Sequence, residues 1–247
     1  MKLTVVGSGD AFGSGGRLQT CFHVALGSDE ILIDCGATAL IGLQRLGLDP
    51  NRVSKIFVSH LHGDHFGGLI WFLLHAHYVS RRTAPLTIIG PAGIAQRFAA
   101  AAEALFPNSM QIERRFEMRF LEHADRVPME IDGVRVTPFE VSHPCGAPPY
   151  ALRLEWGGKV LAFSGDTKWV DSLLPAAQGA DLFITECFTF TVPSGYHMAW
   201  TDIEPNLDRL DARRVLLTHM GPEMLANMHH AKGTRVMLAE DGMRLEV

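Results

Sequence analysis

Short apolar, β-branched runs that stop at a glycine or a small polar residue alternate along this chain with longer stretches whose apolar positions recur at helical spacing. Strands are predicted near the start over residues 3–7, Cys21–Leu26 and 30–35. A helix follows over 37–46, where Leu40, Leu43 and Leu46 share one face, and KIFVS at 55–59 reads as a buried strand. Residues 67–80 form a long apolar helical stretch, 87–90 another short strand, and the Ala-rich run 92–105 a helix by propensity. Consecutive strands are predicted over 134–141, 151–156 and 160–164, the last two joined by a turn at Gly157-Gly158. Strands at 182–185 and 215–218 each end on a polar residue, and helices are predicted at 203–210 and 223–230. Residues 108–128 mix charges and aromatics without a clean period and read as an edge hairpin or a lid.

Two halves emerge, each with strands followed by helices, and no Pro/Gly/Ser-rich linker or internal repeat divides them, so one domain over residues 1–247 is expected. Two sheets packed face to face with helices outside would bury all these apolar faces. A hydrophobic content of 47% with 20% charged residues excludes disorder. The net charge of -5 offers no general attraction for nucleic acid. The opening MKLTVVGSGDAFG reads as strand and loop rather than signal peptide. The most apolar stretch, LIWFLLHAHYV, is shorter than the ~20 residues a membrane span requires. A soluble, cytoplasmic protein with no membrane partner is expected, and its oligomeric state is open, a homodimer included. Cys21, Cys35, Cys145 and Cys187 form no C-x-x-C pair and suit reduced, buried thiols. Cys187, beside Glu186, reads as core filling rather than as a ligand.

Histidine changes the picture. Ser59-His60-Leu61-His62-Gly63-Asp64-His65 stands directly after one predicted strand and before a predicted helix. Three imidazoles and a carboxylate in so short a turn need polar partners if buried, and a divalent cation supplies them. Nitrogen and carboxylate donors suit Zn²⁺, with Mn or Fe as alternatives. Gly63 is expected to let the turn bend so that alternate side chains face two ions. His143 in VSHP, Asp166 in FSGDT and His219 in LLTHMG also end predicted strands and complete a candidate ligand set. Asp34 reads as a partner that orients a ligating imidazole. Gly7-x-Gly9 invites a dinucleotide-binding reading, but the loop runs on through Gly13, Gly15 and Gly16 into another strand, with no helix to receive a pyrophosphate. His75 and His77, on an apolar helix, and His229 and His230, on an amphipathic one, read as structural; His23 and His123 have no readable context.

On these residues the chain resembles the metallo-β-lactamase superfamily, and most nearly its tRNase Z-like metal-dependent phosphodiesterases. The features are the loop from Gly7 to Gly16, LIDCG at Leu32, SHLHGDHFGG at Ser59 and Glu186 followed by His197. The resemblance implies an α/β fold, the αββα sandwich of two mixed sheets with outer helices. It implies that His60, His62 and His143 hold one metal, that Asp64, His65 and His219 hold the other, and that Asp166 bridges them. It also implies that Glu186 and His197 help protonate a departing alkoxide. The region between Gly90 and Val134 is short and acidic for a tRNA-gripping arm, and MGPEM follows His219 where many relatives have Ser-Arg-Tyr. Small phosphodiesters such as cyclic nucleotides therefore fit better than tRNA.

The expected reaction is hydrolysis through a hydroxide shared by two metals, with Asp64 accepting a hydrogen bond from it and no protein nucleophile. The same centre suits a lactone, a thioester or a sulfate ester, and a non-catalytic metal-bearing carrier is the reading from outside enzymology.

Overall fold

The computed structural model describes residues 1–192 and 194–247. The first half of the chain supplies β1 (Lys2–Gly7), β2 (Cys21–Leu26), β3 (Asp29–Ile33), β4 (Val53–Phe57), β5 (Leu86–Gly90) and β6 (Met118–Glu122). The second supplies β7 (Met129–Ile131), β8 (Val134–Glu140), β9 (Tyr150–Trp156), β10 (Lys159–Phe163), β11 (Leu182–Glu186), β12 (Val215–Thr218), β13 (Val236–Leu238) and β14 (Arg244–Glu246). They form two seven-stranded sheets, ordered β14-β1-β2-β3-β4-β5-β6 and β13-β12-β11-β10-β9-β8-β7. Each sheet is mixed: antiparallel from β14 to β3 and parallel from β3 to β6 in the first, antiparallel from β7 to β10 and parallel from β10 to β13 in the second. This is the αββα sandwich of the metallo-β-lactamase fold.

Strand alternation explains the layers. Val5, Phe22, Val24, Ile31 and Ile33 point inward and meet Leu152, Leu161, Phe163, Ile184 and Leu216 of the facing sheet, with Phe22 and Phe163 edge to face at 5.4 Å. Leu32, Ile56, Val58 and Ile88 point the other way, beneath α1 (Ala39–Arg45), α3 (Gly68–Leu74) and α4 (Ile94–Leu105), while α2 (Gly63–Phe66) is a single turn before α3. On the far side Ala162, Phe183, Val215 and Leu217 pack beneath α5 (Leu173–Ala177), α6 (Trp200–Ile203) and α7 (Pro222–Asn227). Among the described residues no helix is long and apolar enough to cross a membrane.

Several elements differ from the sequence pattern. The helix expected over 67–80 is α-helical only to Leu74 and widens into a π turn at His75–Val79, closed by Ser80 N donating to His75 O at 2.9 Å. The helix expected over 203–210 is a 3-10 helix, Glu204–Arg209, with Pro205 in its first turn. Residues 108–128 are not a hairpin: β6 runs parallel to β5 and is reached by the crossover helix α4.

The close approach of α3 to the end of β3 depends on absent side chains. Gly68 N donates to Cys35 O at 2.8 Å, and a Cβ on Gly68 would lie 2.1 Å from Gly36 O. Gly63 does not serve the bend expected of it. Its φ is not left-handed, it is exposed, and a Cβ there meets nothing within 4 Å. Gly68→Ala is therefore expected to destabilise by about 1–3 kcal/mol through overpacking, a melting-temperature drop of roughly 2–10 °C for a chain of this size. Gly63→Ala should melt within about 2 °C of the wild type, since a substitution that meets no neighbour shifts stability little. Equal melting temperatures for Gly68→Ala and the wild type, measured by calorimetry, would contradict the contact.

Candidate metal centre

The centre is built at the carboxyl ends of parallel strands, where strand termini converge beyond the sheet. After β4 the chain turns through Ser59, and this turn is fixed by Asp34, which follows β3. Asp34 is fully buried; its carboxylate accepts from Ser59 N at 2.7 Å and Ser59 Oγ at 2.8 Å, and pairs with His65 Nδ1 at 2.6 Å. Cys35 N donates to His65 O at 2.6 Å, so the backbone of the histidine turn docks on the same strand end. His65 Nε2 is thereby aimed at Asp64 and Asp166, 3.3 Å from a carboxylate oxygen of each.

The second sheet closes the site. His143 lies on the connection between β8 and β9, and its Nδ1 pairs with Tyr196 O at 3.0 Å, leaving Nε2 to meet His62 Nδ1 at 3.0 Å. Asp166 follows β10 through Gly165, whose φ of +59° and 2.8 Å Cβ clearance from Tyr150 O suit only glycine. His219 follows β12 with a φ of 56°, held by its N–H donating to Ser8 O at 3.0 Å. Glu186 ends β11; it accepts from Thr167 N at 2.6 Å and pairs with His197 Nδ1 at 3.1 Å.

Two sets of potential ligand atoms result, His60 with His62 and His143, and Asp64 with His65, Asp166 and His219, the atoms within each set lying no more than 4.8 Å apart. Asp166 Oδ2 is reached from both, at 3.8 Å by His60, 4.0 Å by His143, 3.3 Å by His65 and 3.4 Å by His219. The donor chemistry fits a divalent metal. His60 Nε2 and Asp166 Oδ1 are buried with no hydrogen-bonding partner, and the 3.0 Å approach of two ring nitrogens needs a shared proton or a shared cation. A cavity of about 320 Å³ opens onto the cluster, lined by His62, Asp64, His143, Asp166, His197 and His219 together with Ala11, Phe12, Gly63 and Phe188. A larger hollow, 530 Å³, beside Lys2, His23 and Arg244 contains none of these groups.

All nine residues singled out for chemistry thus converge. His75 and His77 sit at the end of α3, away from the cluster, and His229 and His230 are exposed, their rings tilted against each other with centroids 3.9 Å apart. His23 is buried against Glu30 at 2.9 Å, and His123, pushed down to about 4 by burial, packs on Tyr150. All four cysteines are free and buried, and Cys187 Sγ touches Met224 Sδ at 3.6 Å rather than the cluster. Phe12, Phe188 and the Tyr196 carbonyl were not found from sequence. An aromatic in a loop and a backbone oxygen leave no periodic or compositional signal.

Burial is the largest influence on every group here, yet charge overrides it at several. Burial lowers His60, and the neighbouring imidazoles lower it further. Burial raises Asp166, but His219 and His65 pull its carboxyl well below the usual range. Burial lowers His219, yet Asp166 and Asp64 lift it to about 9. The metal-free protein therefore holds His219 protonated at neutral pH, whereas a ligand nitrogen must be free of its proton. Titrating Zn²⁺ into metal-free protein at pH 7 is expected to release protons, and affinity should weaken as pH falls from 9. Calorimetry in buffers of different ionisation enthalpy measures this; binding without proton release would contradict it.

Known proteins resemble the chain over nearly its whole length. The family described as "Anti-Pycsar protein Apyc1" matches residues 1–243. An uncharacterized protein of Mycobacterium tuberculosis is 30% identical over 231 residues, covering 90% of this chain and 81% of its own. A ribonuclease Z of Mycobacterium avium is 26% identical over 92% of this chain and 88% of its own. The crystal structure of the metallo-beta-lactamase fold protein YhfI from Bacillus subtilis superposes with a TM-score of 0.80 at 21% identity, over 99% of both chains. The chain, a metallo-β-lactamase fold protein with a His/Asp cluster fitted to divalent metal, belongs to the Anti-Pycsar protein Apyc1 family.

Proposed function

We propose that the protein is a dinuclear metal-dependent hydrolase of small phosphodiesters, cyclic nucleotides among them, with His60, His62 and His143 holding one ion, Asp64, His65 and His219 the other, and Asp166 shared. The observation that supports this reading most directly is the single Asp166 oxygen lying within 4.0 Å of ring nitrogens from both sets. Zn²⁺ is the ion best suited to five imidazoles and two carboxylates. Bound divalent ions supply Lewis acidity toward phosphoryl oxygens and a nucleophilic water of lowered pKa.

The chain's own residues do the rest. Asp64 lines the cavity, with Oδ2 3.2 Å from His219 Nε2 and 3.3 Å from His65 Nε2, and its carboxylate would accept a hydrogen bond from the attacking water. Burial lowers His197, but the hydrogen bond and charge of Glu186 raise it above the ordinary histidine value. That pairing favours the form of His197 that carries a proton on both ring nitrogens. With Nδ1 engaged by Glu186, Nε2 remains to deliver its proton to a leaving oxygen. Residues 90–134 contribute α4, β6 and β7 with the segments between them, which favours a small substrate over a tRNA.

Bis-p-nitrophenyl phosphate and a nucleoside cyclic phosphate are expected to be cleaved faster than p-nitrophenyl phosphate, with precursor tRNA cleaved poorly. A preference for lactones or sulfates, or no turnover of any ester with Zn²⁺, Mn²⁺ or Fe²⁺, would contradict the reading. Glu186→Gln and His197→Ala are expected to slow a nucleoside diester by about 10²- to 10⁴-fold, the scale of general acid catalysis, while retaining metal. Cleavage of the p-nitrophenyl diester should suffer far less, because p-nitrophenolate leaves without a proton. Equal losses on both substrates would remove the pair from the reaction.

A further inference from the structure

Phe12 is 85% exposed, the most exposed of the large apolar side chains named in the described structure, and it lies on the rim of the metal cavity. A lone exposed apolar residue is ordinary on a protein surface. This one is framed. Asp10, wholly buried, accepts from Phe12 N at 3.3 Å, Ser14 N at 2.8 Å and Ser14 Oγ at 2.6 Å. Gln19 Nε2 donates to Ala11 O at 3.0 Å, and Gly9 N to Leu18 O at 2.7 Å. The backbone on both sides of Phe12 is therefore fixed, and the ring is presented to solvent by a stiff loop rather than left there by a loose one.

The remaining cavity wall makes the ring's chemistry specific. Among the described residues that line it there is no Lys or Arg; apart from the His/Asp groups it offers only Ala11, Phe12, Gly63 and Phe188. Phe188 is already engaged, its ring 4.9 Å from that of His197. Such a wall gives a second phosphate nothing to bind, but it gives a planar, π-faced substituent an unoccupied aromatic face. We infer that Phe12 is a specificity-determining residue, the platform on which a nucleobase of the substrate stacks beside the metal centre. A stack of this kind tolerates any base, because every base has a π face.

This rests on the phosphodiesterase reading for its substrate class, so the test is a binding measurement independent of turnover. Metal-loaded wild type, Phe12→Ala and Phe12→Trp are titrated calorimetrically with the phosphorothioate analogue of adenosine 3′,5′-cyclic phosphate and with dimethyl phosphate, which has no base. Phe12→Ala is expected to weaken the analogue by roughly 5- to 150-fold more than dimethyl phosphate, the scale of one base–aromatic stack. Phe12→Trp is expected to restore it, with melting temperatures equal across the three. Equal weakening of both ligands, unchanged binding of the analogue, or no binding of the analogue by wild type overturns the inference. A shift of Phe12→Ala to a smaller assembly in sedimentation, with analogue binding unchanged, also overturns it and makes the ring a subunit contact. If wild type cleaves no diester yet Phe12→Ala loses the analogue selectively, the hydrolase reading falls and the platform stands.

Discussion

At the end of β3 a carboxylate with no access to solvent engages three polar groups at once. Burial raises the pKa of Asp34, and His65 and Ser59 pull against that rise. Without those partners a buried charge would be untenable, and removing one side of such a pair typically costs about 3–5 kcal/mol. Its φ of 57°, a left-handed value that Asp tolerates better than most residues, turns the side chain toward the histidine loop. Because Asp34 fixes the Nδ1 side of His65, it decides which nitrogen faces the cluster and holds Ser59, the residue from which His60 departs.

The opposite wall is attached to this frame by polar ties between distant segments. Asp241 accepts from Ser8 N at 2.9 Å and Leu18 N at 2.8 Å, pinning both ends of the glycine-rich loop. Ser8 O in turn receives His219 N. At the far end of the sandwich Lys55, buried in the first sheet, reaches Asp29 at 2.7 Å and Asp132 at 3.3 Å, the latter on the turn between β7 and β8. The two sheets are thus registered by charge at one end and by backbone hydrogen bonds at the other, with apolar packing between.

Much of this was legible in the sequence, for definable reasons. His60, His62, Asp64 and His65 are contiguous, so their clustering needs no tertiary information, and His143, Asp166 and His219 betray themselves by ending apolar strands. The layered sandwich follows from alternation in strands long enough to show a period. β7, β13 and β14 have three residues each, too few for any period, and β6 draws its place from the crossover of α4. Lys55 opens a strand read as buried, but nothing in the sequence points to its partners Asp29 and Asp132. Phe12 could not be located because its position depends on Asp10's hydrogen bonds, which no spacing rule reveals.

The division of the cluster between the two sheets has a bearing on how the protein is made. His62 and His143 are 81 positions apart, and Asp64 and His219 155 positions apart. A ribosome adding about 5–20 residues per second reaches His219 roughly 8–30 s after Asp64. Through that interval the histidine turn has Asp34 to order it but lacks β12 and the His219 that follows it. The cluster is complete only when β12 docks, so its side chains first meet as one set in the folded chain and not on the emerging turn.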